Sequence, residues 1–185
     1  MRIISGSKKG KKILLPNLET TRPLKDSVKE NIFNVLKHSR NFQINFQDIK
    51  VIDFFSGSGS FGLECISRGA SNVKFFEIDS RTSNILFRNL SNNFEKKRYE
   101  IIQKDFFNVD KKQLIESYRP DIVFLDPPYK IREFSEILKF INYLYNINNL
   151  IIILHVEKSK IINFESFKYI ENRTYGLSKI YFIKN

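Results

Sequence analysis

The chain predicts an α/β fold: a mostly parallel sheet covered by helices on both faces, with an antiparallel hairpin at one edge. Three observations carry this expectation. From residue 50 to residue 156, short apolar runs alternate with segments of helical spacing. Runs such as Ile122-Val123-Phe124-Leu125 and Leu150-Ile151-Ile152-Ile153-Leu154 are apolar at every position, as strands buried on both faces must be. Near the end the rhythm breaks, and two strand-like runs meet around Tyr175-Gly176 with no helix between them.

In chain order, Arg2-Ile3-Ile4 and Lys11-Lys12-Ile13-Leu14-Leu15 flank Ser5-Gly6-Ser7-Lys8-Lys9-Gly10, the pattern of a basic hairpin. Val28, Ile32, Val35 and Leu36 give helical spacing over Leu24–His38, with Pro23 suited to the first turn. Strand Lys50–Phe55 then precedes helix Ser60–Arg68, and strand Val73–Ile78 precedes helix Ser80–Phe94. Strand Glu100–Gln103 leads to a short helix near Lys111–Ser117. Strand Ile122–Leu125 leads to helix Glu133–Tyr145 and strand Leu150–Val156, and the hairpin Phe167–Arg173 with Ser178–Ile183 ends the fold. The whole reads as one domain, 1–185, in which basic residues 1–45 are appended to a sheet core of 46–185.

Composition narrows the function class. A chain of 185 residues, 42% hydrophobic and 28% charged, supports one sizeable core. The single cysteine, Cys65, rules out an internal disulfide, and with no Cys/His cluster no metal is expected. No segment resembles a signal peptide or approaches membrane-spanning length, so a cytoplasmic protein is expected. Net charge is +11. Lysine, asparagine, isoleucine and phenylalanine are all abundant, as an AT-rich coding bias would produce, but such bias spreads charge evenly. Here ten Lys/Arg face three acids within the first forty residues. That excess predicts a nucleic-acid surface carried by Arg2, Lys8, Lys9, Lys11, Lys12, Arg22, Lys25 and Lys29.

A cofactor loop follows the first core strand: Asp53-Phe54-Phe55-Ser56-Gly57-Ser58-Gly59-Ser60-Phe61-Gly62. Its glycines let a ligand approach the backbone. Gly57, Gly59 and Gly62 also match the dinucleotide pattern, which admits a nicotinamide or flavin enzyme. Asp53 speaks against that, because a carboxylate facing the crevice repels a pyrophosphate and attracts an ammonium group. S-adenosylmethionine carries an ammonium, a sulfonium and no phosphate. Glu77, with Ile78 beside it, ends the second strand where an acid accepts both hydroxyls of a ribose. Asp79 reads as a helix N-cap. Asp105-Phe106 offers a carboxylate for an adenine amine and a ring for its face, or an ordinary loop acid.

Asp126-Pro127-Pro128-Tyr129 is the transfer motif. Two prolines cannot donate to a ladder, so the strand ends here and leaves an acid, a carbonyl and a ring at the lip of the sheet. Asp126 and the Pro127 carbonyl suit the two hydrogens of an exocyclic amine, and Tyr129 suits the flat face of its base. His155, following an apolar run, reads as a packed residue rather than a base.

These segments together resemble the RsmD family of bacterial methyltransferases, which modify the N2 amine of a guanine in 16S ribosomal RNA. The likeness covers Arg2-Ile3-Ile4-Ser5-Gly6, Arg22-Pro23 through Val28-Lys29-Glu30 and Phe33-Asn34, Asp53 to Gly59, Gly62-Leu63-Glu64, Ser67 to Ala70, Glu77, and Asp126 to Tyr129. It implies a Rossmann-like class I methyltransferase sheet of strand order 3-2-1-4-5-7-6 with strand 7 antiparallel. It also implies 16S RNA as substrate, in a small-subunit assembly particle, and a monomer is expected. Lys29 stands where the family usually has arginine. A DNA adenine-N6 methyltransferase shares the transfer motif, but such enzymes carry a target-recognition region for which this chain has no room.

Overall fold

The computed structural model describes residues 1–16, 24–164, 167 and 169–185. Helix α1 (Asp26–His38) precedes the alternating body: β1 (Lys50–Phe54), α2 (Ser60–Arg68), β2 (Asn72–Phe76), α3 (Ser80–Ser91), β3 (Tyr99–Ile102), α4 (Lys111–Tyr118), β4 (Ile122–Leu125), α5 (Phe134–Tyr145) and β5 (Ile151–Glu157). The hairpin β6 (Tyr169–Tyr175) and β7 (Ser178–Lys184) ends it. The strands form one sheet of order β3-β2-β1-β4-β5-β7-β6. The five central strands run parallel, and β7 lies antiparallel to both β5 and β6. Fold class and strand order are as expected from the sequence.

Alternation along each strand divides the core in two. Val51, Val73, Phe75, Phe124, Ile153 and Phe182 pack with apolar residues of α1, α2 and α3. Ile52, Phe54, Phe76, Leu125, Leu154 and Ile183 face the other way, onto α4 and α5. Each fully buried side chain of this size contributes about 1.5–3 kcal/mol before chain entropy is set against it. Boundaries differ from expectation by one to three residues, the largest difference being helix α3, which ends at Ser91 rather than Phe94. β1 stops at Phe54 because Phe55 takes φ 60°, outside the extended region. Helix α1 begins at Asp26; Arg22 and Pro23 lie outside the described residues.

The basic hairpin is built on one bridge, Arg2 to Lys12, with Ile3 N donating to Lys11 O and Gly10 N to Ile3 O. It lies along α2. At its open end the Lys29 ammonium donates to Arg2 O (2.7 Å) and to Ser60 Oγ (3.1 Å). Midway, Ile4 N and Ser5 N donate to the buried Glu64 carboxylate. At the tip, Ser7 N donates to Ser67 O and Lys8 N to Ser67 Oγ. Gly6, at φ 81°, is required there: a Cβ would stand 1.9 Å from Ser67 O. Ile3 and Ile13 are buried in the same core as the sheet. The described residues among the first 45 therefore share that core rather than hang from it.

Lys29 is a correction. It is 0% exposed, so its ammonium braces the hairpin against α1 and α2 and cannot reach a phosphate. Burial lowers its pKa, with Glu64 and Asp26 opposing that shift. Arg2, Lys9, Lys11, Lys12 and Lys25 are exposed and Lys8 is half-buried.

Candidate active site

The site lies at the C-terminal ends of β1, β2 and β4, where strand order reverses direction across the sheet. The glycine loop after β1 is held from below. Ser56 N donates to Phe76 O, its hydroxyl donates to Asp53 O, and Gly57 N donates to Glu77 Oε2 at 2.8 Å. Gly57, at φ 55°, is the point of access: a Cβ added there meets nothing within 4 Å. Gly62 serves packing instead, since its Cβ would stand 2.2 Å from Phe75 Cε1. Gly59 sits at φ 80° at the start of α2.

Asp53 occupies a different place from the one its sequence position suggests. It is 1% exposed, beneath the loop, with Oδ2 accepting from Gly62 N at 3.0 Å. Among the described residues Oδ1 has no partner. Burial pushes its carboxyl well above the usual aspartate range, and the nearby Asp126 and Glu77 carboxylates push it further. The repulsion expected of Asp53 alone is thus a property of three acids gathered at the ends of three adjacent strands. Glu77 is also raised, first by burial. Its Oε1 accepts from Asp79 N while Oε2 holds Gly57 N, and each oxygen keeps a second lone pair. Ile78 is 61% exposed beside it, an apolar surface at the crevice edge. This set fits a cationic nucleoside: an open glycine, three gathered carboxyl groups that a cation would help to ionise, an orphaned buried carboxylate oxygen and an apolar rim.

Two rings placed at the cofactor by sequence are core residues. Phe54 points to the opposite face of the sheet, fully buried between Phe76, Phe106 and Phe140. Phe106 packs against Phe54, Phe55 and Phe140 and is 3% exposed, so its face is already covered. Asp105 caps the short 3₁₀ turn Phe106–Asn108 by accepting from Phe107 N. Phe55, half-buried, keeps its left-handed backbone at the base of the loop, a strained conformation for a bulky residue and one that clusters at functional sites.

At the transfer lip, Asp126 N donates to Phe54 O (3.4 Å), then the prolines end β4. The Asp126 side chain is 23% exposed. His155 Nδ1 lies 2.8 Å from Asp126 Oδ1. The contact is an ion pair when the imidazole is protonated. From sequence His155 reads as a packed residue, and the structure sets it beside Asp126. The available signal was register: Leu125 pairs with Leu154 in parallel strands, which makes Asp126 and His155 the next pair outward. The Tyr129 ring meets His155 edge-on at 6.2 Å, and its hydroxyl lies 3.4 Å from Ser178 Oγ. Beside this lip opens a cavity of about 140 Å³ whose lining includes Pro127, Pro128, Tyr129, Phe134, Glu157 and Lys160.

A parallel sheet of this order, a glycine loop after β1 and Asp-Pro-Pro-Tyr after β4 together define a class I methyltransferase fold. The family model described as conserved hypothetical protein 95 matches residues 1–184, and the chain belongs to that family, the RsmD family. The ribosomal RNA small subunit methyltransferase D of Haemophilus influenzae is 31% identical over 96% of this chain and 90% of its own length. Among solved structures, the putative methyltransferase yhhF from Escherichia coli superposes with a TM-score of 0.72 at 25% identity, covering 100% of this chain and 98% of that one. An RNA methyltransferase from Salinibacter ruber, solved with S-adenosyl-L-homocysteine, shares the fold at TM-score 0.62 and 14% identity, covering 88% and 92%.

Proposed function

We propose that this chain transfers a methyl group from S-adenosylmethionine to the exocyclic N2 amine of a guanine in 16S ribosomal RNA, in a small-subunit assembly particle. The observation that carries it is the Asp126-Pro127-Pro128-Tyr129 lip set against an open glycine loop and three converging acids. The functional names of its relatives point the same way. Glu77 and the Gly57 backbone would hold the adenosine half, and the acids would favour the cationic end. The cofactor supplies an electrophilic methyl on a sulfonium.

An aryl amine is a poor nucleophile because its lone pair is shared with the ring. Asp126, through the oxygen left over from His155, and the Pro127 carbonyl accept the two N–H hydrogens and draw the nitrogen toward tetrahedral geometry. Tyr129 holds the base plane, so catalysis is mainly orientation. When bound, the cofactor would supply the methyl that the nitrogen takes and would keep the carbon–sulfur electrons on its sulfur. Asp126 then takes the proton that the amine sheds. The cytoplasm, where such particles form, is the corresponding location, and a monomer suffices because one chain holds every group named.

S-adenosylmethionine is expected to raise the melting temperature while NAD leaves it unchanged. Methyl mapping on small-subunit RNA from cells with and without the protein is expected to show one guanine that loses its N2 methyl. A stabilisation by NAD alone, or an unchanged methylation map, would overturn the reading.

A further inference from the structure

We propose that Glu157 reads the edge of the target base, accepting the N1–H of guanine while Asp126 holds the N2 amine; this rests on the methyltransferase reading of the same lip. The placement follows from register. Leu125 lies beside Leu154, and the 2.8 Å approach of His155 Nδ1 to Asp126 Oδ1 shows both side chains on one face of the sheet. Residues two apart on a strand share a face, so Glu157 projects from that face one step beyond the lip. Strand β7 sets Ser178 opposite Glu157, and Tyr129 reaches Ser178 Oγ at 3.4 Å. The Tyr129 ring thus runs from His155 toward Glu157, and Glu157 lines the cavity beside it. On the same cavity Lys160 holds its ammonium 3.7 Å from the centre of the Phe134 ring.

Glu157 and Lys160 line that cavity, and register sets Asp126 beside His155 on the face that Glu157 shares. The pairing edge of guanine presents amine, N1–H and O6, which is donor, donor, acceptor. Adenine and cytosine place an unprotonated ring nitrogen next to their amine, and that lone pair would face the Glu157 carboxylate. A polar group built to pair with a ring N–H rejects the analogue lacking it, because the group is then desolvated without a partner. Glu157 would therefore convert a site for any planar amine into one for guanine.

The test compares RNA carrying guanine at the mapped target with the same RNA carrying 2-aminopurine, which keeps the amine but has a bare N1. The native protein is expected to favour guanine in kcat/KM by roughly 10–100-fold, the range of one hydrogen bond to a charged group. Glu157→Gln, whose amide can donate to a bare N1, is expected to bring the two substrates within about threefold. The cofactor-induced rise in melting temperature checks that this variant is folded. Equal rates on both RNAs by the native protein, or an unchanged ratio in Glu157→Gln, overturns the role of Glu157 and leaves the methyltransferase intact. Methylation of neither RNA overturns the methyltransferase reading and the base-reading role with it.

Discussion

His155 sets what Asp126 can do. A carboxylate at the end of a strand can rotate; one held 2.8 Å from a buried imidazole has less room to do so. Replacing His155 with leucine removes that restraint and leaves the acid beside a hydrocarbon. His155→Leu is expected to lower kcat about 10–100-fold, the worth of a hydrogen bond to a charged group, with cofactor affinity unchanged. His155→Asn, which keeps an N–H donor, is expected to recover most of the loss. A steady-state comparison separating kcat from KM checks this, and a change confined to KM would assign His155 to packing. The same scale shows what the sequence hid. Asp126, Glu77 and Gly57 were legible because their residue types are needed where a strand ends. The burial of Lys29, Phe54 and Phe106 was not. Which face a strand-end ring takes depends on parity with its neighbours, and a lysine can be buried only where Arg2 O, Ser60 and Asp26 meet it across the fold.

Among the elements, the contact between α2 and β2 is the tightest constraint on the glycine loop. Gly62 lies against the edge of Phe75, and Phe75 is itself fully buried. Gly62→Ala is expected to cost about 1–3 kcal/mol by overpacking, read as a lower urea midpoint with the slope unchanged. Phe75→Leu in the same chain is expected to recover part of it by opening the space. Element type and order were legible because apolar runs and helical spacing alternate without ambiguity, and β4 and α2 kept their expected bounds. Pairing of the N-terminal segment to α2 was not legible, since its partners Glu64 and Ser67 are some sixty residues away.

For the molecule as a whole, the exposed cations of the hairpin are expected to carry part of any RNA affinity. Reversing Lys9, Lys11 and Lys12 to glutamate should weaken binding and flatten the dependence of log K on log salt. An unaltered slope would assign these lysines to coding bias. Their placement adds something a charge count cannot. The hairpin lies along α2 with its open end at Ser60, beside the glycine loop, and its tip at Ser67. A nine-residue helix is about 13 Å long, so the two ends of the basic strip stand at opposite levels of the sheet. Glu64, Ser67 and Lys29 clamp the strip in place, so for an RNA held at both ends that separation would work as a gauge. An RNA whose target base reaches the lip while its backbone meets the tip must present the two at one spacing, whatever its sequence. Fragments trimmed below that span would keep the chemistry and lose the grip.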